Sequence, residues 1–88
     1  MQIEVEKKTD DQLIAIGVFS WPVWSKEVSE FELSYDDQER CYILEGEVEV
    51  DAYGEKFHFG TGDFVTFPVG MNCKWKVLKP VRKHYQVG

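Results

Sequence analysis

Over residues 81–87, Val81, Lys83, Tyr85 and Val87 alternate with Arg82, His84 and Gln86. Alternate side chains of an extended strand share a face, so a dry Val–Tyr face would draw Lys83 inward. A buried ammonium requires an anion beside it. Such a pair can be a static ion pair, or a reactive amine with its general base. If the opposite face is the inner one, Arg82 and His84 replace Lys83 and could grip a carboxylate or phosphate. The chain has two cysteines, Cys41 and Cys73, without the C-x-x-C spacing of a metal or redox motif. Cys73 would be a nucleophile beside a cation and an inert filler otherwise; Cys41, following Arg40, is expected to be a filler. Trp24, Tyr35 and Trp75 could stack on a planar ligand or fill a core. His58, between Phe57 and Phe59, should face solvent. Gly60-Thr61-Gly62-Asp63 lacks the helix and lysine of a phosphate-binding loop, and neither a nucleophile elbow nor a nucleotide fingerprint is present.

The elements that must position these residues are strands. Ile3 and Val5 alternate with Glu4 and Glu6; Phe31, Leu33 and Tyr35 with Glu32 and Ser34; Val48 and Val50 with acids; Cys73, Trp75 and Val77 with Lys74 and Lys76. This period of two marks half-buried strands. Turn signals separate them at Asp36-Asp37, Glu45-Gly46, Tyr53-Gly54, Gly62-Asp63, Pro68-Val69-Gly70 and Lys79-Pro80. About seven or eight short strands point to an all-β antiparallel sandwich or barrel. Only Thr9 to Gly17 could hold a helical turn, capped by Thr9 or Asp10.

Composition limits the function. At 88 residues, 43% hydrophobic and 15% aromatic, the chain suits one small domain with one core. A net charge of −6 argues against a nucleic-acid partner. Residues 1–57 hold 15 acids and 5 bases, whereas residues 58–88 hold 1 acid and 5 bases. The favoured expectation is that the two segments neutralise each other as neighbouring strands. The apolar run from Ile14 to Trp24 is too short for a bilayer and is broken by Gly17, Ser20 and Pro22. The N-terminal residues show no signal-peptide pattern, so the expected compartment is cytoplasmic, or the plastid stroma after removal of a transit peptide.

Two blocks have more specific spacing. In the first, Glu39 is followed after six residues by Gly46; in the second, Gly62 is followed by Pro68, Gly70 and Cys73. Their order and separation resemble the paired motifs of the cupin superfamily, with motif 1 at about residues 30–50 and motif 2 at about 62–78. Trp21-Pro22-Val23-Trp24, Tyr42-Ile43-Leu44-Glu45-Gly46, Val65-Thr66-Phe67-Pro68 and Val81-Arg82-Lys83-His84-Tyr85 narrow the match. The chain resembles small single-domain cupins grouped with ureidoglycine aminohydrolase and the ethanolamine-utilisation cupins. The resemblance implies one domain over residues 1–88, folded as an antiparallel double-stranded β-helix, the cupin jelly-roll barrel.

A metal-bearing cupin draws two His and one Glu from motif 1 and one His from motif 2. By that correspondence Glu39 is the carboxylate, while the histidine positions fall at Leu33 and Tyr35, or at Glu32 and Ser34, and at Cys73. The usual His-based metal site is therefore not expected, and no cofactor is expected. A weak or rebuilt transition-metal site would have to use Glu39 with Cys73 and Tyr35 or His84. The resemblance places Leu33, Tyr35, Glu39, Cys73, Trp75, Lys83 and Tyr85 at the barrel mouth, with Trp24 and His84 as further ligand-binding candidates. Glu39 becomes the anion for Lys83, and Glu39, Cys73 and Lys83 are the catalytic candidates. The leading expectation is a binder of a small polar or nitrogenous metabolite. The alternatives are an aminohydrolase- or isomerase-type enzyme using Glu39 with Lys83 or His84, and a non-catalytic structural or regulatory module. The expected partners are a small molecule and a second copy of the chain, paired through Ile3 to Glu6.

Overall fold

The computed structural model describes residues 2–88. Seven strands run as β1 Glu4–Lys7, β2 Val23–Lys26, β3 Ser29–Ser34, β4 Glu39–Ala52, β5 Glu55–Gly60, β6 Asp63–Phe67 and β7 Asn72–Val87. All pair antiparallel in the order β1-β6-β4-β7-β2, with β3 also on β7 and β5 also on β4. The two long strands build the barrel. The first part of β4 pairs with β6 and the second with β5, while β7 pairs first with β3 and then with β2. β4 and β7 also pair with each other from Glu39↔Val87 to Asp51↔Lys74, through irregular register between Ile43 and Val48. Each long strand thus serves both halves of a cupin jelly roll.

The bend in β4 depends on Gly46. Its φ is +113°, and a Cβ there would lie 2.5 Å from the Pro80 carbonyl oxygen and 2.6 Å from Val81 Cα. Only a residue without a side chain permits both that backbone conformation and the close passage of β7.

The helical turn forms as α1, Asp10–Ile16. Thr9 Oγ1 accepts the Gln12 N–H at 3.2 Å, and the Thr9 N–H donates to Gln12 Oε1 at 2.9 Å, a reciprocal cap. Leu13 on this helix packs with Val18, Trp21 and Phe64 as a small cluster outside the main core. The main core is aromatic and aliphatic: Trp75, Phe59, Phe67, Ile43, Met71 and the valines at 48, 50, 65, 77 and 81. Val5 departs from the alternation, being 41% exposed, because β1 is an edge strand paired only with β6.

The uneven charge resolves across neighbouring strands. Arg82 meets Glu45 at 2.9 Å, Lys79 meets Glu47 at 3.6 Å, and Lys74 and Lys76 flank Glu30 at 3.5 and 3.9 Å. Among the described residues, no helix is long and apolar enough to cross a membrane.

Candidate functional site

The Val–Tyr face of β7 is the inner one over residues 81–83. Lys83 lies opposite Ile43 of β4 and Trp24 of β2, and it is the one buried charged or polar residue among those described. Its Nζ donates to Glu39 Oε2 at 2.7 Å, with the two side chains 5% and 14% exposed. Three rings surround the ammonium: Trp75 at 4.8 Å, Trp24 at 4.9 Å and Phe67 at 6.0 Å from Nζ to ring centroid. Desolvating a charge is costly; a carboxylate at hydrogen-bond distance and three negative ring faces offset that cost.

The pair faces a cleft of about 220 Å³ lined by Trp24, Leu33, Ser34, Tyr35, Glu39, Lys83 and Tyr85. β2, β3, β4 and β7 supply this wall, with Tyr35 from the turn after β3. Tyr35 stacks on Phe67 with centroids 4.7 Å apart, and its hydroxyl accepts the Trp75 indole N–H at 3.1 Å. Burial, and then the nearby Glu39 charge, push the Tyr35 phenol far above its ordinary range.

The other candidates do not line the cleft. Trp75 is fully buried and fills the barrel interior behind the cleft. Cys73 is also buried; it borders a separate surface dip with Asn72 and Asp51, and burial pushes its thiol up to about 11. Cys41 is a core filler whose thiol burial pushes up to about 12. His84 is turned to the outer face, away from Glu39 and Lys83. Its Nδ1 lies 2.9 Å from the Trp21 carbonyl oxygen, and its ring packs edge-on to Phe19 at 5.8 Å. The strand pattern that turns Lys83 inward forces this, so His84 does not join Lys83 and Glu39 in the cleft. Arg82, also outward, pairs with Glu45. His58 projects from β5 to Glu47 at 2.6 Å.

Two contributors are not among the site candidates, although Ser34 is an alternative histidine position of the first motif. Phe67 closes the third side of the lysine cage, and Ser34, whose Oγ donates to Asn72 Oδ1 at 2.6 Å, forms part of the rim. The only available signal for Phe67 was its place just before Pro68 in the second motif.

These residues do not fit a transition metal. Leu33 offers no donor, Tyr35 and Cys73 hold their protons, and the Glu39 carboxylate is engaged by an ammonium that would repel a second cation. Among the described residues, no group of three or more His, Cys, Asp or Glu side chains converges as a metal-binding set.

Residues 13–85 match the family model of the EutQ-like cupin domain. A DUF861 family protein from Thermotoga maritima is 52% identical and superposes with a TM-score of 0.97, over 99% of this chain and 100% of that one. A DUF861 family protein of unknown function from Pseudomonas syringae pv. tomato is 31% identical, with a TM-score of 0.68 over 75% of this chain and 29% of that one. The Clostridium difficile EutQ protein, 19% identical, shares the fold with a TM-score of 0.67 over 72% of this chain and 50% of its own. A comparison with curated proteins gave no match. With the motif spacing, the barrel built on β4 and β7, and these likenesses in agreement, the chain belongs to the EutQ-like cupin family.

Proposed function

We propose that this small cupin binds a small polar metabolite in the cleft between Trp24, Tyr35 and Tyr85, without a transition metal. The observation carrying this reading is the Lys83–Glu39 pair, which occupies the cleft wall where the resemblance would put a metal ligand. A divalent metal with one carboxylate leaves a net positive site, whereas ammonium and carboxylate cancel. The cleft therefore favours a ligand without net charge that carries its own donor and acceptor. Lys83 engages Glu39 Oε2, so Oε1, the remaining ammonium protons and the Tyr85 side chain are what such a ligand would meet, between aromatic walls. A volume of about 220 Å³ lies below the roughly 300–1,000 Å³ of drug-sized ligand pockets, so the cleft suits a small ligand. We also propose that the chain pairs as a homodimer through β1, which lies at the end of the strand order.

A thermal-stabilisation screen of small polar metabolites tests the binding. At least one compound should raise the melting temperature of the wild type and lose that effect in Trp24→Ala and Glu39→Gln. Failure of the whole set to stabilise the wild type, or stabilisation undiminished in both variants, would overturn the reading. Sedimentation at micromolar concentration tests the dimer; a monomer would remove it.

A further inference from the structure

We infer that Lys83 is an imine-forming amine, and that the cleft takes a short-chain aldehyde or ketone, which Lys83 holds covalently. This inference rests on the proposal that the cleft binds a small polar molecule, and it names the class.

Three observations carry it. Lys83 is the most enclosed of the ion-paired lysines, its side chain 5% exposed against 22% for Lys8 and more than half for Lys7, Lys56, Lys74, Lys76 and Lys79. It lines a cleft of about 220 Å³ that opens to solvent, which gives a small carbonyl compound a route toward Nζ. Its hydrogen-bond partner is a carboxylate, which can accept and return a proton without solvent. A static ion pair could have been built anywhere in the core. This one borders the cleft.

The step balances within the site. Lys83 passes one ammonium proton to Glu39 Oε2 across the 2.7 Å contact, freeing the nitrogen lone pair. The lone pair forms a bond to the carbonyl carbon, and the C=O π pair moves to oxygen. A second nitrogen proton shifts to that oxygen, giving a neutral carbinolamine. Glu39 then returns its proton to the hydroxyl; the C–O bond breaks, water leaves and the nitrogen lone pair closes the C=N bond. Ammonium and aldehyde have become a protonated imine and water, with Glu39 again a carboxylate. The product keeps one positive charge on nitrogen, so Glu39 and the rings of Trp24, Trp75 and Phe67 hold it as they hold the ammonium. An aromatic cage around the nitrogen therefore suits both ends of the reaction. Expulsion of water from a mostly apolar cleft favours the dehydration.

The test is reductive trapping of the full-length protein with glycolaldehyde and cyanoborohydride at neutral pH, read by intact mass and peptide mapping. Lys83 should be the first lysine alkylated, and Glu39→Gln should slow its labelling about a hundredfold, the loss expected for a general acid–base group. Exposed lysines should label at unchanged rates in that variant, and circular dichroism checks that its fold is retained. Labelling of the exposed lysines with Lys83 untouched would overturn the inference. If stabilising metabolites are found in the thermal screen while Lys83 stays untouched, the imine fails and the binding proposal stands. If neither labelling nor stabilisation occurs, both fail.

Discussion

Trp75 and Tyr35, 40 residues apart in the chain, meet inside the barrel, the indole N–H donating to the phenol oxygen at 3.1 Å. The same tyrosine ring stacks on Phe67 at 4.7 Å, while Trp75 forms one wall of the lysine cage. This hydrogen bond ties the cleft-lining tyrosine to the sealed core. Tyr35→Phe keeps the stacked ring but leaves a buried indole N–H without its acceptor. The expected loss is about 1–3 kcal/mol, the usual cost of an orphaned buried donor. Urea unfolding checks it; an unchanged midpoint would mean that the N–H finds another partner.

The Lys83–Glu39 pair should behave as a coupled unit. Lys83→Met strands a mostly buried carboxylate, and Glu39→Gln strands an ammonium; each should cost about 3–5 kcal/mol. The double variant Lys83→Met/Glu39→Leu removes both charges and should regain most of that loss, because apolar replacement of a buried pair is often neutral. A double-mutant cycle measures the difference. Additive losses would show that the two charges stabilise the fold independently.

Much of this site was legible because alternation assigns a face. The spacing of Val81, Lys83 and Tyr85 offered Lys83 as an inward residue, and the motif containing Glu39 and Gly46 supplied its carboxylate. Which face of β7 was inner depended on how β4 and β7 pair, and that register is interrupted between Ile43 and Val48. His84 was therefore left as an alternative until the pairing was known. Depth along the barrel is equally absent from a period of two. Trp75 and Leu33 share the inward set, yet one is sealed and the other lines the cleft. The third ring of the cage, Phe67, comes from β6, and nothing local to Lys83 announces it.

Gly46 fixes the bend that lets β4 serve both halves of the barrel. Gly46→Ala would place a methyl group 2.5 Å from the Pro80 carbonyl oxygen, at a φ of +113° that side chains avoid. Backbone atoms cannot rotate away as a flexible side chain could. The expected cost is at least about 4 kcal/mol, in the range reserved for strained special positions. Far-ultraviolet circular dichroism at increasing temperature would show it. A melting temperature close to that of the wild type would mean that β7 moves aside cheaply.

Glu47 gives the acid side of the stability profile. The His58 hydrogen bond, with Lys79 nearby, holds its carboxyl below the ordinary carboxylate value. A carboxyl whose folded value is lowered adds stability above its unfolded value and loses it as pH falls through the folded one. Wild type should therefore lose more melting temperature than Glu47→Gln between neutral pH and about pH 3, below the ordinary glutamate range. Equal losses would show that exposure and screening leave this contact without effect.

The two thiols act at the alkaline end. Burial pushes Cys73 up to about 11 and Cys41 up to about 12, from an ordinary 9.0. The folded chain thus keeps protons that the unfolded chain releases, so stability is fully present below pH 9.0 and declines as pH rises toward the folded values. The variant Cys41→Ala/Cys73→Ala should start less stable at neutral pH, because it leaves space in the core. It should nevertheless lose less between about pH 8 and pH 10, the interval in which unfolded thiols ionise. Urea midpoints at the two pH values decide the matter, and an equal loss in variant and wild type would sink it. Iodoacetamide adds an independent readout. Both thiols should alkylate slowly in the folded protein, Cys73 ahead of Cys41 because it borders a surface dip, and both should react promptly in urea.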